Sequence, residues 1–172
     1  MSYVTSAGAP DAACVFCAAL SAGDDRRALI LRRAPRAFLI LNTFPYATGH
    51  LLAMPLRHVA RVEDATTDEM AETMALVQDS VRALNAGYQP DGFNVGMNLG
   101  RVAGAGVLGH LHMHVVPRWS GDTNFMTTVA EVRVMPEALP TTWAKVRAAW
   151  PGGATTPLLT SCLKRLVFTA LQ

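Results

Sequence analysis

Lysine is nearly absent: two Lys accompany 13 Arg against 13 Asp and Glu, for a formal net charge of +2, and the arginines are scattered along the 172 residues. Without a basic run there is no electrostatic footprint for nucleic acid. Scattered guanidiniums still suit a small polyphosphate, whose oxygens they pair in a fork. No apolar run reaches the ~18 residues that a membrane helix requires, so no membrane partner is expected. The apolar stretch 12–20 has no Lys or Arg before it, carries two cysteines and leads into Asp24, Asp25 and Arg26. No secretory signal is visible, and a soluble cytoplasmic protein is expected. Cysteine is scarce too. Of three, two stand as Cys14-Val15-Phe16-Cys17, which in a reducing compartment suits metal ligation better than a disulfide framework. No internal repeat is apparent.

What the chain does have is apolar mass, 51% hydrophobic against 16% charged residues, enough for one domain with its own core. Residues 1–11, rich in Ser, Ala and Gly, read as a flexible arm, 12–150 as the folded domain, and 151–172 as a tail that begins in Pro, Gly and Thr and has no functional assignment. Apolar runs at 28–31 and 37–41, split by Arg32-Arg33-Ala34-Pro35-Arg36, predict a hairpin, and residues 50–54, closed by Pro55, a third strand. Thr66 and Glu69 have capping-box spacing; the helix they open places Met70, Met74, Val77, Val81 and Leu84 on one stripe and should end at Gly87. Alternation of Phe93, Val95, Met97 and Leu99 with Asn94, Gly96 and Asn98 predicts a half-buried strand. A glycine-rich loop at 100–109, strands at 110–116 and 131–135, and a helix at 137–150 complete the reading.

Three of the five histidines fall in His110-Leu111-His112-Met113-His114-Val115-Val116. On a strand rising ~3.3 Å per residue, the three imidazoles would lie on one face about 6.6 Å apart in succession, with Leu111, Met113 and Val115 toward the core. Such a row can cradle zinc through three nitrogens. It can equally supply a neutral imidazole nucleophile whose far nitrogen is held by an acceptor. Three buried histidines, each satisfied by backbone, are the remaining reading, disfavoured because aligned polar groups are costly to bury. Gly100, Gly104, Gly106 and Gly109 just upstream permit conformations that turn several N–H groups toward one anion. Outside this row His50, beside Gly49, reads as a strand-end histidine bonded to backbone or as one facing the site, Trp119 as a packing or base-stacking aromatic, and Arg118 as an exposed cation.

The stretches Gly49-His50-Leu51-Leu52-Ala53-Met54-Pro55, Gly92-Phe93-Asn94, Asn98-Leu99-Gly100 and the histidine row followed by Pro117-Arg118 resemble the histidine-triad (HIT) superfamily, from about residue 14 to residue 150. The continuation Trp119-Ser120-Gly121-Asp122-Thr123-Asn124-Phe125 resembles the short bacterial diadenosine tetraphosphate phosphorylases. Together the elements and the resemblance predict an α+β fold, a HIT-like, mostly antiparallel sheet of about five strands with two main helices.

The resemblance implies a two-step reaction. His112 would attack the α-phosphorus of a dinucleoside polyphosphate to give a nucleotidyl-histidine. His114 would bond the phosphate oxygens and steady the departing group. Inorganic phosphate, as in a phosphorylase giving ATP and ADP from diadenosine tetraphosphate, or water, as in a hydrolase of dinucleoside polyphosphates or phosphoramidates, would then release the nucleotide; a nucleotide-binding module without turnover is the reading from another class. Asn98 matches a family position near the phosphates and Asn42 one at the ribose, where hydrolytic relatives usually carry Asp. A family loop hydroxyl is replaced here by Gly104-Ala105-Gly106-Val107, so backbone N–H groups would have to take its place. The resemblance also implies a structural zinc on Cys14, Cys17, His58 and His110, a Cys₂His₂ set chemically suited to that ion, with no redox cofactor. It further implies homodimers joined into one continuous sheet, which phosphorylase relatives can pair into tetramers.

Overall fold

A computed structural model describes residues 14–122 and 137–152; the expected arm at 1–11, the strand at 131–135 and nearly all of the 151–172 tail lie outside them. Five strands form one antiparallel sheet in the order β1-β2-β3-β5-β4, with β1 at Ile30–Arg33, β2 at Ala37–Leu41, β3 at Leu51–Pro55, β4 at Gly92–Met97 and β5 at Met113–Arg118. Helices α1 (Val15–Ser21), α2 (Thr67–Tyr88) and α3 (Leu139–Ala148) accompany it. Every residue of β2 and β3 is buried because both sheet faces are covered. Leu39, Leu41, Leu51, Ala53, Met113 and Val115 pack under α2 and α3, together with Leu76, Val77, Leu84, Val146 and Trp150. On the opposite face Phe16 of α1 closes over Ile30, Phe38, Ile40, Leu52 and Met54.

Several boundaries move from their expected places. The first strand is Ile30–Arg33 rather than 28–31, because Leu29 takes a left-handed φ of 61° and the ladder slips between Ile30 and Arg32. Leu51–Pro55 replaces 50–54, and Leu139–Ala148 replaces 137–150. Helix α1 was not expected; it has no side-chain cap and is held by Phe16. The α2 capping box is formed: the Glu69 N–H donates to Thr66 Oγ1 at 3.2 Å and the Thr66 N–H to Glu69 Oε2 at 2.8 Å. Its buried face is turned from the expected stripe, running through Thr73, Leu76, Val77, Ser80, Ala83 and Leu84 and leaving Met74 42% exposed. Thr73 and Ser80 can face inward because their hydroxyls donate to the carbonyls of Glu69 and Leu76, at 2.8 and 2.7 Å. Gly87 does not end α2; Gln89 does, in the left-handed region at φ 49°. A Cβ on Gly87 would meet the Ala149 Cβ at 3.5 Å, an ordinary contact with the end of α3.

Candidate active site and metal centre

The histidine row is not one strand. Strand β5 begins only at Met113, because the Leu111 N–H donates to the Val59 carbonyl at 2.7 Å and draws the segment before it away from the sheet. The expected even row of three rings on 110–116 is therefore corrected. Each ring belongs to a different setting, although all three stand on the α1 side of the sheet, where Phe16 contacts His110 and His112.

His110 is fully buried. Its Nε2 lies 2.9 Å from the Pro55 carbonyl, which can only accept, so Nε2 carries the hydrogen and Nδ1 presents a lone pair. That lone pair faces two thiols, with Cys14 Sγ at 3.4 Å and Cys17 Sγ at 3.6 Å, while Cys17 Sγ meets His58 Nδ1 at 3.3 Å. The four donor atoms of Cys14, Cys17, His58 and His110 all lie within 4.8 Å of one another. Tetrahedral zinc with ordinary Zn–S and Zn–N bonds separates S from N by about 3.5 Å, so the donor set fits such an ion in type, number and spacing. Gly109 lies against the cluster; a Cβ there would stand 3.4 Å from the His58 ring. Burial, then the neighbouring Cys14, pushes the Cys17 thiol up. A cation would relieve that.

His112 is 7% exposed, and its Nδ1 lies 2.8 Å from the His110 carbonyl. Again the carbonyl can only accept. Nδ1 is the protonated nitrogen, and Nε2 keeps its lone pair. Burial lowers the His112 pKa, partly offset by the bond to the His110 carbonyl, so the ring is neutral and nucleophilic near pH 7.

His114 faces His50. The two rings meet through His50 Nε2 and His114 Nδ1 at 2.9 Å, and Tyr46 lies over them, nearly parallel to His114 at 11° with centroids 5.8 Å apart. Burial, then His112, pushes His114 down to about 4. Its Nε2 is buried without a partner among the described residues. His50 meets both expectations: it accepts the Tyr46 N–H at Nδ1, at 3.0 Å, and it meets His114 through Nε2. It stands 62 residues before His112 in the sequence, and only its place beside Gly49 hinted at this.

The remaining candidates divide. Asn42 lies beside His50, with Nδ2 3.2 Å from His50 Nδ1 and Oδ1 accepting the Phe44 N–H at 3.0 Å. Asn98 Nδ2 donates to the Gly104 carbonyl at 3.3 Å. Within the glycine loop the Gly104 N–H is spent on the Arg101 carbonyl and the Ala105 N–H on the Gly100 carbonyl, at 3.0 and 3.2 Å. Of Gly104, Ala105 and Gly106, only the Gly106 N–H has no backbone partner among the described residues. Arg118 sits at the far end of β5 and is committed to Asp122 and Asn94.

A five-stranded antiparallel sheet carrying a metal-type Cys₂His₂ cluster, an oriented imidazole and a histidine pair defines a histidine-triad site. The HIT domain model matches residues 25–121, and the chain belongs to that family. It is 42% identical over 126 residues to an AP-4-A phosphorylase of Mycobacterium tuberculosis, a match covering 73% of this chain and 65% of that protein; the chain thus spans about two thirds of that relative's length. A Zn-bound histidine triad family protein from Mycobacterium smegmatis superposes with a TM-score of 0.65 at 30% identity, covering 80% of this chain and 92% of the other. A hypothetical histidine triad nucleotide-binding protein from Sulfolobus tokodaii gives 0.64 at 26% identity, covering 79% and 91%.

Proposed function

We propose that the protein is an enzyme that cleaves diadenosine tetraphosphate with inorganic phosphate, giving ATP and ADP. The observation that carries this reading is the neutral His112, its Nδ1–H tied to the His110 carbonyl at 2.8 Å and its Nε2 lone pair left for phosphorus. In the first step an N–P bond forms at Nε2 and the P–O bond to the departing ATP breaks, its electron pair leaving on oxygen. His114 directs its Nε2–H at that oxygen. In the second step an oxygen of inorganic phosphate attacks the same phosphorus, the N–P bond breaks, and ADP leaves. Asn98 and the amide of Gly106 serve the phosphates, Gly104 and Ala105 shape the loop that carries it, and Asn42 serves a ribose hydroxyl with its spare donor and acceptor capacity. The similarity to the AP-4-A phosphorylase supports phosphate as the acceptor.

Zinc on Cys14, Cys17, His58 and His110 belongs to the same reading. When bound it supplies a structural cross-link between α1, the segment after β3 and the histidine segment, and no chemistry. The protein acts as a homodimer through β4, an edge strand whose Val95 is 46% exposed, and its setting is cytoplasmic; no helix among the described residues is long and apolar enough to cross a membrane. Incubation of diadenosine tetraphosphate with and without phosphate tests the acceptor. ATP and ADP should appear together only with phosphate, and an acid-labile adenylyl adduct should vanish in His112→Ala. Phosphate-independent hydrolysis would refute the phosphorylase assignment, and an adduct persisting in His112→Ala would refute the nucleophile.

A further inference from the structure

Two of the four donors at the metal-type cluster come from one turn of chain. Cys14 is the N-cap of α1, at φ −59° and ψ 121°, and Cys17 stands in the first turn of that helix, which the Ala18 N–H closes onto the Cys14 carbonyl at 2.9 Å. Residues three apart in a helical turn have Cα atoms about 5 Å from one another, inside the roughly 4.4–6.8 Å that a disulfide spans. An N-cap side chain turns back over the third helical residue, which here is Cys17. The sulfurs accordingly converge. Cys14 Sγ and Cys17 Sγ lie 3.4 and 3.6 Å from the same atom, His110 Nδ1, and within 4.8 Å of one another. Both side chains are half-buried, so a small solute reaches them. His110 is anchored separately, its Nε2 donating to the Pro55 carbonyl at 2.9 Å, and the sulfurs can close on each other without carrying the imidazole along.

A reachable thiolate with a second cysteine beside it is the arrangement in which oxidation stops at a disulfide, because the neighbour resolves the sulfenic acid before more oxygen is added. We infer that Cys14 and Cys17 are a reversible oxidation site for peroxide, and that closing their disulfide empties the metal cluster. The inference rests on zinc at Cys14, Cys17, His58 and His110 as proposed above. One thiolate attacks a peroxide oxygen, the O–O bond breaks, and a sulfenic acid and a hydroxide result. The second thiolate attacks the sulfenic sulfur, the S–S bond forms, and the hydroxyl leaves as hydroxide. Two electrons pass from the sulfurs to the peroxide, and two solvent protons turn the hydroxides into water. Thiolates, not disulfide sulfurs, are the metal ligands, so the oxidised pair leaves two imidazoles, half of a tetrahedral set, and the ion departs. The disulfide lies wholly within residues 14–17 and does not restore the link from α1 to His58 and His110. That link stands beside the proposed nucleophile: Phe16, between the two cysteines, contacts the His110 and His112 rings at centroid separations of 5.7 and 5.3 Å.

The test uses the full-length, zinc-loaded chain carrying Cys162→Ser, which removes the third thiol of the sequence. Treated with a modest excess of hydrogen peroxide, this protein should release its zinc to a chromogenic indicator in step with the loss of both remaining thiols. The tryptic peptide 1–26 holds both cysteines, and mass spectrometry should find it as the intramolecular disulfide. A dithiol reductant followed by zinc should restore the metal content in full. In a further Cys14→Ser variant the same dose should carry Cys17 to sulfinic acid, which the dithiol does not reverse. Zinc retained through the peroxide treatment, or sulfinic acid in place of the disulfide when both cysteines are present, would overturn the proposal. Zinc content before oxidation tests the metal reading on its own. A protein that binds none removes the ion to be released and the proposal with it, whereas one that binds zinc and keeps it under peroxide leaves the metal reading standing and overturns the oxidation site alone.

Discussion

Gly49 holds the loop that delivers His50, and Gly49→Ala tests how tightly. Its φ is +82°, a conformation that costs a residue with a Cβ about 1–2 kcal/mol. The added Cβ would also stand 2.9 Å from Leu84 Cδ2 and 3.4 Å from Pro117 Cγ. Leu84 is fully buried in the core, so it must shift against packed neighbours, and overpacking of this kind adds about 1–2 kcal/mol. Restricting the unfolded chain returns about 0.5–1 kcal/mol. The net expectation is a loss of about 2–3 kcal/mol, which for a domain of this size lowers Tm by roughly 4–12 °C. Gly100→Ala is the internal control: its φ is +86°, yet nothing lies within 4 Å of the new Cβ. It bears the strain without the overlap and should cost about 1–2 kcal/mol less than Gly49→Ala. Urea unfolding followed by circular dichroism, with the m-value checked for constancy, measures both. Equal losses in the two variants would refute the packing argument, and a Gly49→Ala within 0.5 kcal/mol of wild type would refute the strain argument as well.

Loading the Cys14, Cys17, His58 and His110 cluster with zinc at about a thousandfold excess over Kd should stabilise the fold by about 4 kcal/mol, and a chelator should reverse it; a Tm indifferent to metal, or one metal per chain retained in Cys17→Ser, would count against the site. Glu69 is held down at about 2, first by Arg57, which donates from Nε and Nη2 at 2.9 and 2.8 Å, and then by the Thr66 N–H. A carboxylate depressed below its unfolded value contributes stability that is complete above about pH 4.5 and lost as the pH falls toward 2; an acid-unfolding curve of Glu69→Gln that keeps this limb would show the source to lie elsewhere. Val95→Glu on the exposed β4 edge should convert dimer to monomer in sedimentation velocity without unfolding the chain, and an unaltered sedimentation coefficient would place the contact elsewhere.

What could be read from the sequence was local. The capping box at Thr66 and Glu69 depends on residues three apart, and the apolar runs of β2 and β3 need only each other's register. Four ligands spread over 97 positions, from Cys14 to His110, came from resemblance rather than from spacing, and the fold brings them within 4.8 Å. The misreadings have a tertiary cause. Alternation within 110–116 was consistent with a strand, but the Val59 carbonyl takes the Leu111 N–H and the His110 carbonyl takes the His112 ring, two bonds that no periodicity encodes. Thr73 and Ser80 lie off the apolar stripe expected for α2, yet hydroxyls bonded to their own helix backbone are cheap to bury, and the buried face of α2 runs through them. Helix α1 has seven residues and no side-chain cap, too short to be stable alone; it is held by Phe16, which packs against Ile30, Phe38, Ile40, Leu52 and Met54.

One physical pattern links the metal-type cluster to the chemistry. Each histidine of the segment has its tautomer set, directly or through His50, by a main-chain group from a different part of the chain: the Pro55 carbonyl for His110, the His110 carbonyl for His112, the Tyr46 N–H for His50 and through it His114. Side chains with two interchangeable nitrogens are thereby given one nitrogen each for the roles proposed above, as ligand, nucleophile and donor. The assignment depends on where these main-chain groups stand. Substitutions that move the turn before His50 or the segment after β3 should therefore damage catalysis out of proportion to their cost in stability, whereas exposed positions of α2 such as Met74 should tolerate replacement with little effect on either.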